Sequence, residues 1–229
     1  MPRLAQGDCK DKIYDGEPAV VDFYYSNIVG RRVLDVGCGT GNLCRALATK
    51  GNECYGITIS EQEAVQARAK LRQVIVGDLE TMEALPFPEQ FFDVVIFADV
   101  LEHLKNPART LQLVKPYLKP GARLIASIPN IANFVIRFNL LCGRFEYTRE
   151  GILDNTHLRF FTLGTAQELI TLAGYRVEGI KFTHSNWRFP KLMGMQLVPY
   201  EWEIQTRIAR WWPGPFATQF VIYATYPDK

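Results

Sequence analysis

A glycine-rich turn after a short apolar strand constrains the fold of this chain more than any other feature. The segment from Val33 to Asn42 reads VLDVGCGTGN. Its apolar residues predict a strand, and its three alternating glycines allow the backbone to pass close to a ligand before a helix begins. The segment therefore predicts the first strand–turn–helix unit of an α/β fold, with a ligand site at the turn.

The spacing of the glycines separates this turn from a dinucleotide-binding loop. A dinucleotide fingerprint reads G-x-G-x-x-G, because the pyrophosphate lies on the N-terminus of the following helix. Here Gly37, Gly39 and Gly41 are spaced G-x-G-x-G, and Asn42 stands where the third dinucleotide glycine would fall. Asp35 also places an acid inside the strand. These differences argue against a nicotinamide oxidoreductase.

Apolar runs alternate with helical patterns from about residue 32 to residue 128. Such alternation predicts βαβ units and a mostly parallel sheet with helices on both faces. The predicted strands are 33–36, 53–57, 73–76, 92–97, 123–128, 175–182 and 219–226. The fourth of these, wholly apolar apart from one aspartate, is expected to be buried on both faces.

Capping residues mark the predicted helix starts. Ser60 with Glu63 forms the S-x-x-E pattern of a capping box, and Thr165 with Glu168 is assigned to a second box. Asn106 followed by proline predicts another start, because asparagine caps a helix and proline suits its first position.

Composition excludes several classes of protein. Of the 229 residues, 48% are hydrophobic and 22% are charged, which predicts a folded domain with a real core. The formal net charge is only +2, so no strong field favours nucleic acid or acidic lipid. The first residues lack the apolar stretch of a signal peptide, and no apolar run is long enough to span a bilayer.

The five cysteines favour a reducing compartment. No C-x-x-C pair is present, and no histidine lies at zinc spacing from a cysteine. We therefore expect reduced thiols in a cytoplasmic protein and no metal site.

Five motifs in order resemble those of the class I S-adenosylmethionine-dependent methyltransferase family. They are VLDVGCGTG at 33–41, GDLE at 77–80, FDVVI at 92–96, DVLEHL at 99–104 and KPGA at 119–122. The stretch DNTHLRFFT at 154–162 is similar to bacterial small-molecule methyltransferases of the ubiquinone-pathway and MetW-like types. The resemblance implies a Rossmann-like three-layer sandwich over residues 1–229, whose seven-stranded sheet is mostly parallel with an antiparallel last strand.

The resemblance also implies S-adenosylmethionine as cofactor and S-adenosylhomocysteine as product. The residues expected to contact the cofactor are Asp35, Gly37, Cys38, Gly39, Gly41, Thr58, Asp78, Leu79 and Asp99. Asp35 would order the loop or bind the cofactor's ammonium group, or would order the loop without touching the ligand. Asp78 would hold the adenine amino group, and Asp99 suits the methionine tail or a substrate.

The end of the second strand departs from the family pattern. The family usually has an acid there for the ribose hydroxyls, whereas this chain has Thr58. A neutral hydroxyl in place of a charge-assisted bond would weaken cofactor binding by roughly 1.5–3 kcal/mol. Glu61 could substitute, or could serve only the helix dipole.

The leading hypothesis is methyl transfer to a small-molecule acceptor, at oxygen or nitrogen rather than carbon. His157 is the candidate general base, with pinning of its own loop as the alternative, and His103 is favoured as structural. The competing hypothesis is a non-catalytic, cofactor-binding partner subunit.

The segments at about 129–161 and 183–215 would define the acceptor. Apolar residues within them would pack on the sheet, cover the acceptor or support a homodimer.

Overall fold

A computed structural model describes residues 18–183, 207–208 and 211–227. The strands are β1 (Arg32–Val36), β2 (Glu53–Thr58), β3 (Gln73–Val76), β4 (Phe92–Ala98), β5 (Leu118–Pro129), β6 (Arg176–Thr183) and β7 (Gln219–Thr225). The α-helices are α1 (Pro18–Tyr25), α2 (Asn42–Ala48), α3 (Glu61–Ala67), α4 (Pro107–Val114), α5 (Phe134–Leu141), α6 (Leu163–Leu172) and α7 (Pro213–Phe216). Two short 3₁₀ helices are η1 (Leu101–His103) and η2 (Lys115–Tyr117). None of the described helices is long and apolar enough to cross a membrane.

The seven strands form one sheet in the order β3-β2-β1-β4-β5-β7-β6. The pairs β1–β2, β1–β4, β2–β3 and β4–β5 are parallel, and β7 runs antiparallel to both of its neighbours. The chain moves outward from β1 to β3 and then returns to the other side of β1 with β4. Ligands of open α/β sheets bind where the strand order reverses in this way. The predicted fold class is confirmed.

Buried side chains on both faces of the sheet produce the three layers. Along β1, Val33 belongs to the core on one face, and Leu34 and Val36 belong to the core on the other. This alternation follows from the two-residue period of a strand. In β4 every residue except Asp93 is buried, as the sequence predicts.

Two predicted capping boxes differ from the structure. Ser60 does cap α3, since its hydroxyl accepts a bond from the Glu63 amide at 3.3 Å, but the Glu63 carboxylate turns to Thr58. The prediction for α6 was wrong by one turn: Thr162 is the cap, and Thr165 occupies the third helical position. The Thr162 and Thr165 hydroxyls each receive a bond from the other's amide, so threonine replaces the usual acid of the box.

Helix α5 leaves much of its apolar surface uncovered within the described structure. Ile136 is its one buried residue, whereas Phe138 and Leu141 are 55% and 84% exposed. The predicted segment 183–215 lies mostly outside the described residues; within it, Trp211 and Trp212 are exposed.

Close packing at Gly56 provides a test of this fold. A Cβ atom added there would lie 2.5 Å from Cys38 Sγ and 2.7 Å from Leu71 Cδ2. Both neighbours are buried in the same core, so we expect Gly56→Ala to lower the free energy of unfolding by about 1–3 kcal/mol, measured by denaturant titration.

Gly179→Ala is the matched control, because Gly179 also lies in a strand and an added Cβ would meet no atom within 4 Å. Its free energy of unfolding should be unchanged or slightly raised. Equal losses in both variants would contradict the packing argument.

Candidate functional site

The candidate site lies at the carboxyl ends of β1, β2, β3 and β4, where the strand order reverses. Four of the sequence-predicted residues, Asp35, Gly37, Cys38 and Gly39, line one pocket of about 150 Å³ there. The other lining residues are Thr40, Asn42, Leu43 and Ala98. Pockets for whole drug-sized ligands typically measure about 300–1,000 Å³. A pocket of this size would hold one end of such a ligand.

Backbone hydrogen bonds hold the glycine turn in place. The amides of Gly37 and Cys38 both donate to the Ile57 carbonyl, at 2.8 and 2.9 Å, which ties the turn to the end of β2. Gly37 has a φ of 77°, and an added Cβ would lie 2.5 Å from Val100 Cγ2. At Gly39, with a φ of 50°, an added Cβ would meet no atom closer than Glu63 Oε1 at 4.0 Å. The turn is thus closely packed at Gly37, whereas the space beside Gly39 is open.

The protein is closely packed at three other predicted site residues, Cys38, Gly41 and Leu79. The Cys38 sulfur lies against Gly56, and Leu79 is buried in the main core. An added Cβ on Gly41 would lie 2.5 Å from Leu71 Cδ1. Any contact of Cys38 or Leu79 with a ligand would therefore be made mainly by backbone atoms.

Asp35 is a buried carboxyl group at the base of the pocket. It is 2% exposed, and the Cys44 thiol donates to its Oδ2 at 3.4 Å. Burial raises the pKa of Asp35 from 3.8 to about 7, and the thiol bond only partly offsets this. A cationic group bound beside Asp35 would favour its ionised form.

Asp99 is held in a strained conformation just after β4. Its φ of 51° lies in the left-handed region, which costs a non-glycine residue about 1–2 kcal/mol. The Ser127 hydroxyl donates to Asp99 Oδ1 at 2.5 Å, and the Gln219 amide nitrogen donates to the same oxygen. Strain sustained by several contacts is common at functional sites. The structure thus fixes Asp99 at the end of the strand next to β1.

Asp78 lies two residues beyond the end of β3 and orders its own turn. Its Oδ1 accepts a bond from the Glu80 amide at 2.8 Å, and its carbonyl accepts bonds from the Thr81 and Met82 amides. The position suits the predicted contact with an adenine amino group, at the side of the site farthest from β4.

Thr58 and Glu63 form a hydrogen-bonded pair at the end of β2. Thr58 Oγ1 donates to Glu63 Oε2 at 2.8 Å and accepts a bond from the Ser60 amide at 3.3 Å. Glu61, the substitute considered from sequence, instead pairs with Arg68 at 2.5 Å, where both side chains are exposed. Sequence reasoning missed Glu63 as a site residue because the S-x-x-E pattern assigned it to the helix cap.

A second cluster of ionisable side chains lies beside β4. Glu102, His103 and His157 place one ligand atom each within 4.8 Å of one another, and Glu102 and His157 are buried. The Glu102 carbonyl accepts bonds from the amides of Leu158 and Arg159, which brings the 154–161 segment to η1. A carboxylate and two imidazoles could hold a divalent cation, a possibility that sequence spacing did not reveal.

Hydrogen bonds position both histidine rings. His157 Nδ1 lies 3.1 Å from the Ile152 carbonyl, and His103 Nδ1 lies 3.2 Å from both the carbonyl and the hydroxyl oxygen of Thr156. A neutral ring donates to a carbonyl, so in neutral His157 Nδ1 carries the proton and Nε2 is the acceptor nitrogen. His157 Nε2 lies 3.9 Å from Glu102 Oε1, and the two rings meet edge to face at 4.7 Å. His157 thus both pins its loop and faces the carboxylate.

Both the sequence and the fold of this chain are similar to those of methyltransferases. Residues 34–126 match a family model described as Methyltransferase domain. The structure of a SAM-dependent methyltransferase from Archaeoglobus fulgidus has a TM-score of 0.65 to this one, at 22% identity, and covers 94% of this chain and 97% of that one. Residues 34–126 thus resemble a methyltransferase domain, in a chain that has the fold of SAM-dependent methyltransferases. A SAM-dependent methyltransferase from Aquifex aeolicus shares the fold at a TM-score of 0.60 and 18% identity, over 96% of this chain and 94% of that one.

Curated relatives of the domain include enzymes named ubiquinone biosynthesis O-methyltransferase. The one from Alkalilimnicola ehrlichii is 33% identical over 137 residues, which are 55% of this chain and 53% of the relative. The one from Pseudomonas entomophila is 40% identical over 111 residues, 45% of this chain and 47% of the relative. This chain spans about half the length of the curated relatives that it matches.

The site residues fit S-adenosylmethionine, the cofactor of this methyltransferase class. Its ammonium and sulfonium groups are cations, and two buried carboxyl groups lie on adjacent strands: Asp35 within β1 and Asp99 directly after β4. The open side of Gly39 leaves room for the ligand to pass over the turn.

The raised pKa of Asp35 predicts an unusual dependence of stability on pH. Because the folded pKa, about 7, exceeds the unfolded value near 3.8, Asp35 stabilises the fold fully below pH 4, and this contribution is lost as the pH rises through 7. Relative to Asp35→Asn, the wild-type free energy of unfolding should fall by about 3 kcal/mol between about pH 5 and pH 8, as measured by denaturant titration without ligand.

Asp93→Asn is the control for this experiment. Partial burial of Asp93 opposes ionisation, but bonds from Lys119 and the Arg32 amide outweigh it and lower its pKa. Asp93 is therefore ionised in both states across this range, and its variant should differ from the wild type by a constant amount. A constant difference for Asp35→Asn as well would show that Asp35 ionises normally.

Proposed function

We propose that this protein is an S-adenosylmethionine-dependent methyltransferase that acts on a hydroxyl group of a small molecule. One observation carries the proposal: the glycine-turn pocket and the Glu102–His103–His157 cluster both adjoin the carboxyl end of β4, since Ala98 lines the pocket and η1 begins three residues later. One part suits a cationic cofactor, and the other suits an acceptor that must lose a proton.

The cofactor, when bound, supplies an electrophilic methyl group on a sulfonium centre. Asp35 and the turn at Gly37 and Gly39 would bind its methionine end, Asp99 would face the same end, and Asp78 would receive the adenine. These residues orient the methyl group toward the acceptor and require no covalent change of their own, since positioning supplies most of the rate enhancement in a displacement.

The acceptor hydroxyl must give up a proton as its oxygen forms the new bond to carbon. We assign this proton to the acid–imidazole cluster. His157 is almost fully buried, whereas His103 is half-buried, so an acceptor can reach His103 more readily. His157, the general base expected from sequence, would act through the cluster, in which Glu102 stabilises the positive charge that a histidine gains with the proton.

The names of the relatives support an oxygen acceptor and favour an enzyme over a non-catalytic partner subunit. The small net charge supports a small molecule rather than nucleic acid as acceptor.

Within the single-domain organisation proposed for residues 1–229, the segments 129–161 and 183–215 would cover the acceptor. The exposed Phe138 and Leu141 of α5 provide apolar surface for that role or for a homodimer. The described cysteines are free thiols, in keeping with the proposed cytoplasmic location.

Calorimetry and product analysis test the proposal together. We expect saturable binding of S-adenosylmethionine and S-adenosylhomocysteine, and formation of S-adenosylhomocysteine when hydroxyl-bearing small molecules are added. His103→Gln and His157→Gln should each lower kcat by about a hundredfold or more, because general bases contribute roughly 10²–10⁴. Both variants should retain the wild-type affinity for the cofactor, which is the control for folding. Absence of cofactor binding by the wild type would refute the proposal.

Chelation distinguishes proton acceptance by the cluster from binding of a divalent cation. If Glu102, His103 and His157 accept the proton directly, turnover should be the same before and after treatment with a chelator and desalting. If they hold a cation, turnover should be lost and should return when Mg²⁺ or Zn²⁺ is added. Glu102→Gln should then also lower the affinity for the restoring ion, measured by titration.

A further inference from the structure

The pair formed by Thr58 and Glu63 has a defined direction. Thr58 has one hydroxyl proton, and the structure directs it to Glu63 Oε2 at 2.8 Å. The same hydroxyl oxygen accepts a bond from the Ser60 amide at 3.3 Å. Thr58 thus uses its donor to hold a carboxylate and is poorly placed to act as the main partner of a ligand hydroxyl.

The carboxylate of Glu63 faces the glycine turn. Its Oε1 lies 4.0 Å from the position that a Cβ of Gly39 would occupy, and no other atom lies as close to that position. Helix side chains lean toward the helix N-terminus, so a residue in the first turn of α3 reaches back to the end of β2. Buried Ala64 and Ala67 anchor the helix against the core. The carboxylate therefore lies between the end of β2 and the open part of the turn.

Within the described part of the chain, no salt bridge involves Glu63. Glu61 in the same turn of helix is paired with Arg68, and the nearby Lys70 donates to the Thr40 carbonyl and to Asn42. The two glutamates of α3 thus differ: one completes a surface pair, and the other is half-buried beside the proposed cofactor pocket.

We propose that Glu63 supplies the carboxylate that binds the ribose hydroxyls of the cofactor and that Thr58 is its positioning residue. In nucleotide-binding α/β folds, an acid about twenty residues past the glycine turn accepts bonds from the ribose. Here that acid comes from the first turn of α3 instead of the end of β2. The inference rests on the proposed function, and it removes the reason to expect weak cofactor binding from Thr58.

Glu63→Gln tests the role, with Glu61→Gln as the matched control on the same helix. The ligands are S-adenosylhomocysteine and its analogue without the two ribose hydroxyls, and affinities are measured by calorimetry. Glu63→Gln should weaken S-adenosylhomocysteine binding by about tenfold to a hundredfold, because bonds to charged groups are the strong ones. Glu61→Gln should leave the affinity within about twofold, as expected for an exposed ion pair. The analogue should bind wild type and Glu63→Gln equally.

A rescue experiment separates ligand binding from a purely structural role. Thr58→Asp in the Glu63→Gln background restores a carboxylate at the end of β2 and should recover most of the lost affinity. Thr58→Asp alone places two carboxylates together and should not tighten binding. Thermal denaturation of each variant without ligand checks that it is folded.

The possible failures are distinguishable. Unchanged affinity of Glu63→Gln for S-adenosylhomocysteine would overturn the assignment of Glu63 and leave the proposed function intact. An equal loss for the analogue without ribose hydroxyls would show that Glu63 acts on the fold of the site and would also overturn the assignment. Failure of the wild type to bind S-adenosylhomocysteine would refute the proposed function, and the inference with it.

Discussion

The site depends on the hydrogen bonds that hold β1 between β2 and β4. Both pairings are parallel, so all three strands deliver their carboxyl ends to one edge of the sheet. The pairing with β2 continues past the strand, because the amides of Gly37 and Cys38 share the Ile57 carbonyl. This shared acceptor turns the backbone out of the sheet plane at a fixed place. The pocket, the start of α2 and the separation between the turn and Glu63 all follow from it.

Two acidic residues beside this turn are held in states that carry a cost. Asp35 is an acid buried against a thiol, and burial raises its pKa to about 7 because the bond from Cys44 offsets the loss of solvent only in part. Asp99 adopts a backbone conformation that most residues avoid. A core chosen for stability alone would place apolar side chains and relaxed turns at such positions. Their presence at the switch point of the sheet is understandable if a ligand compensates for their cost.

Sequence patterns predicted the parts of this protein whose causes are local. The apolar runs predicted all seven strands, and most of the predicted strand ends lie within a few residues of the observed ones. The glycine spacing located the turn. The patterns failed where side chains choose among partners in space. The S-x-x-E pattern correctly predicts that the Glu63 amide donates to the Ser60 hydroxyl. It also predicts that the Glu63 carboxylate accepts a bond from the Ser60 amide, but that amide donates to Thr58 Oγ1 instead. The Glu63 carboxylate therefore accepts its bond from the Thr58 hydroxyl. The Glu102–His157 contact depends on backbone bonds between distant segments, which no local spacing encodes.

The charges of the site favour a cation over the phosphate ligands of other glycine-turn folds. Asp35 lies in β1, Asp99 directly follows β4, and Glu63 is hydrogen-bonded to the end of β2. When ionised, these acids would repel a pyrophosphate at this turn. A cationic ligand reverses the balance: it lowers the cost of ionising Asp35, and its binding should release a proton when the pH is near 7. Proton release and ligand charge are thereby linked, so the charges of these residues, and not only the shape of the pocket, favour a cationic ligand.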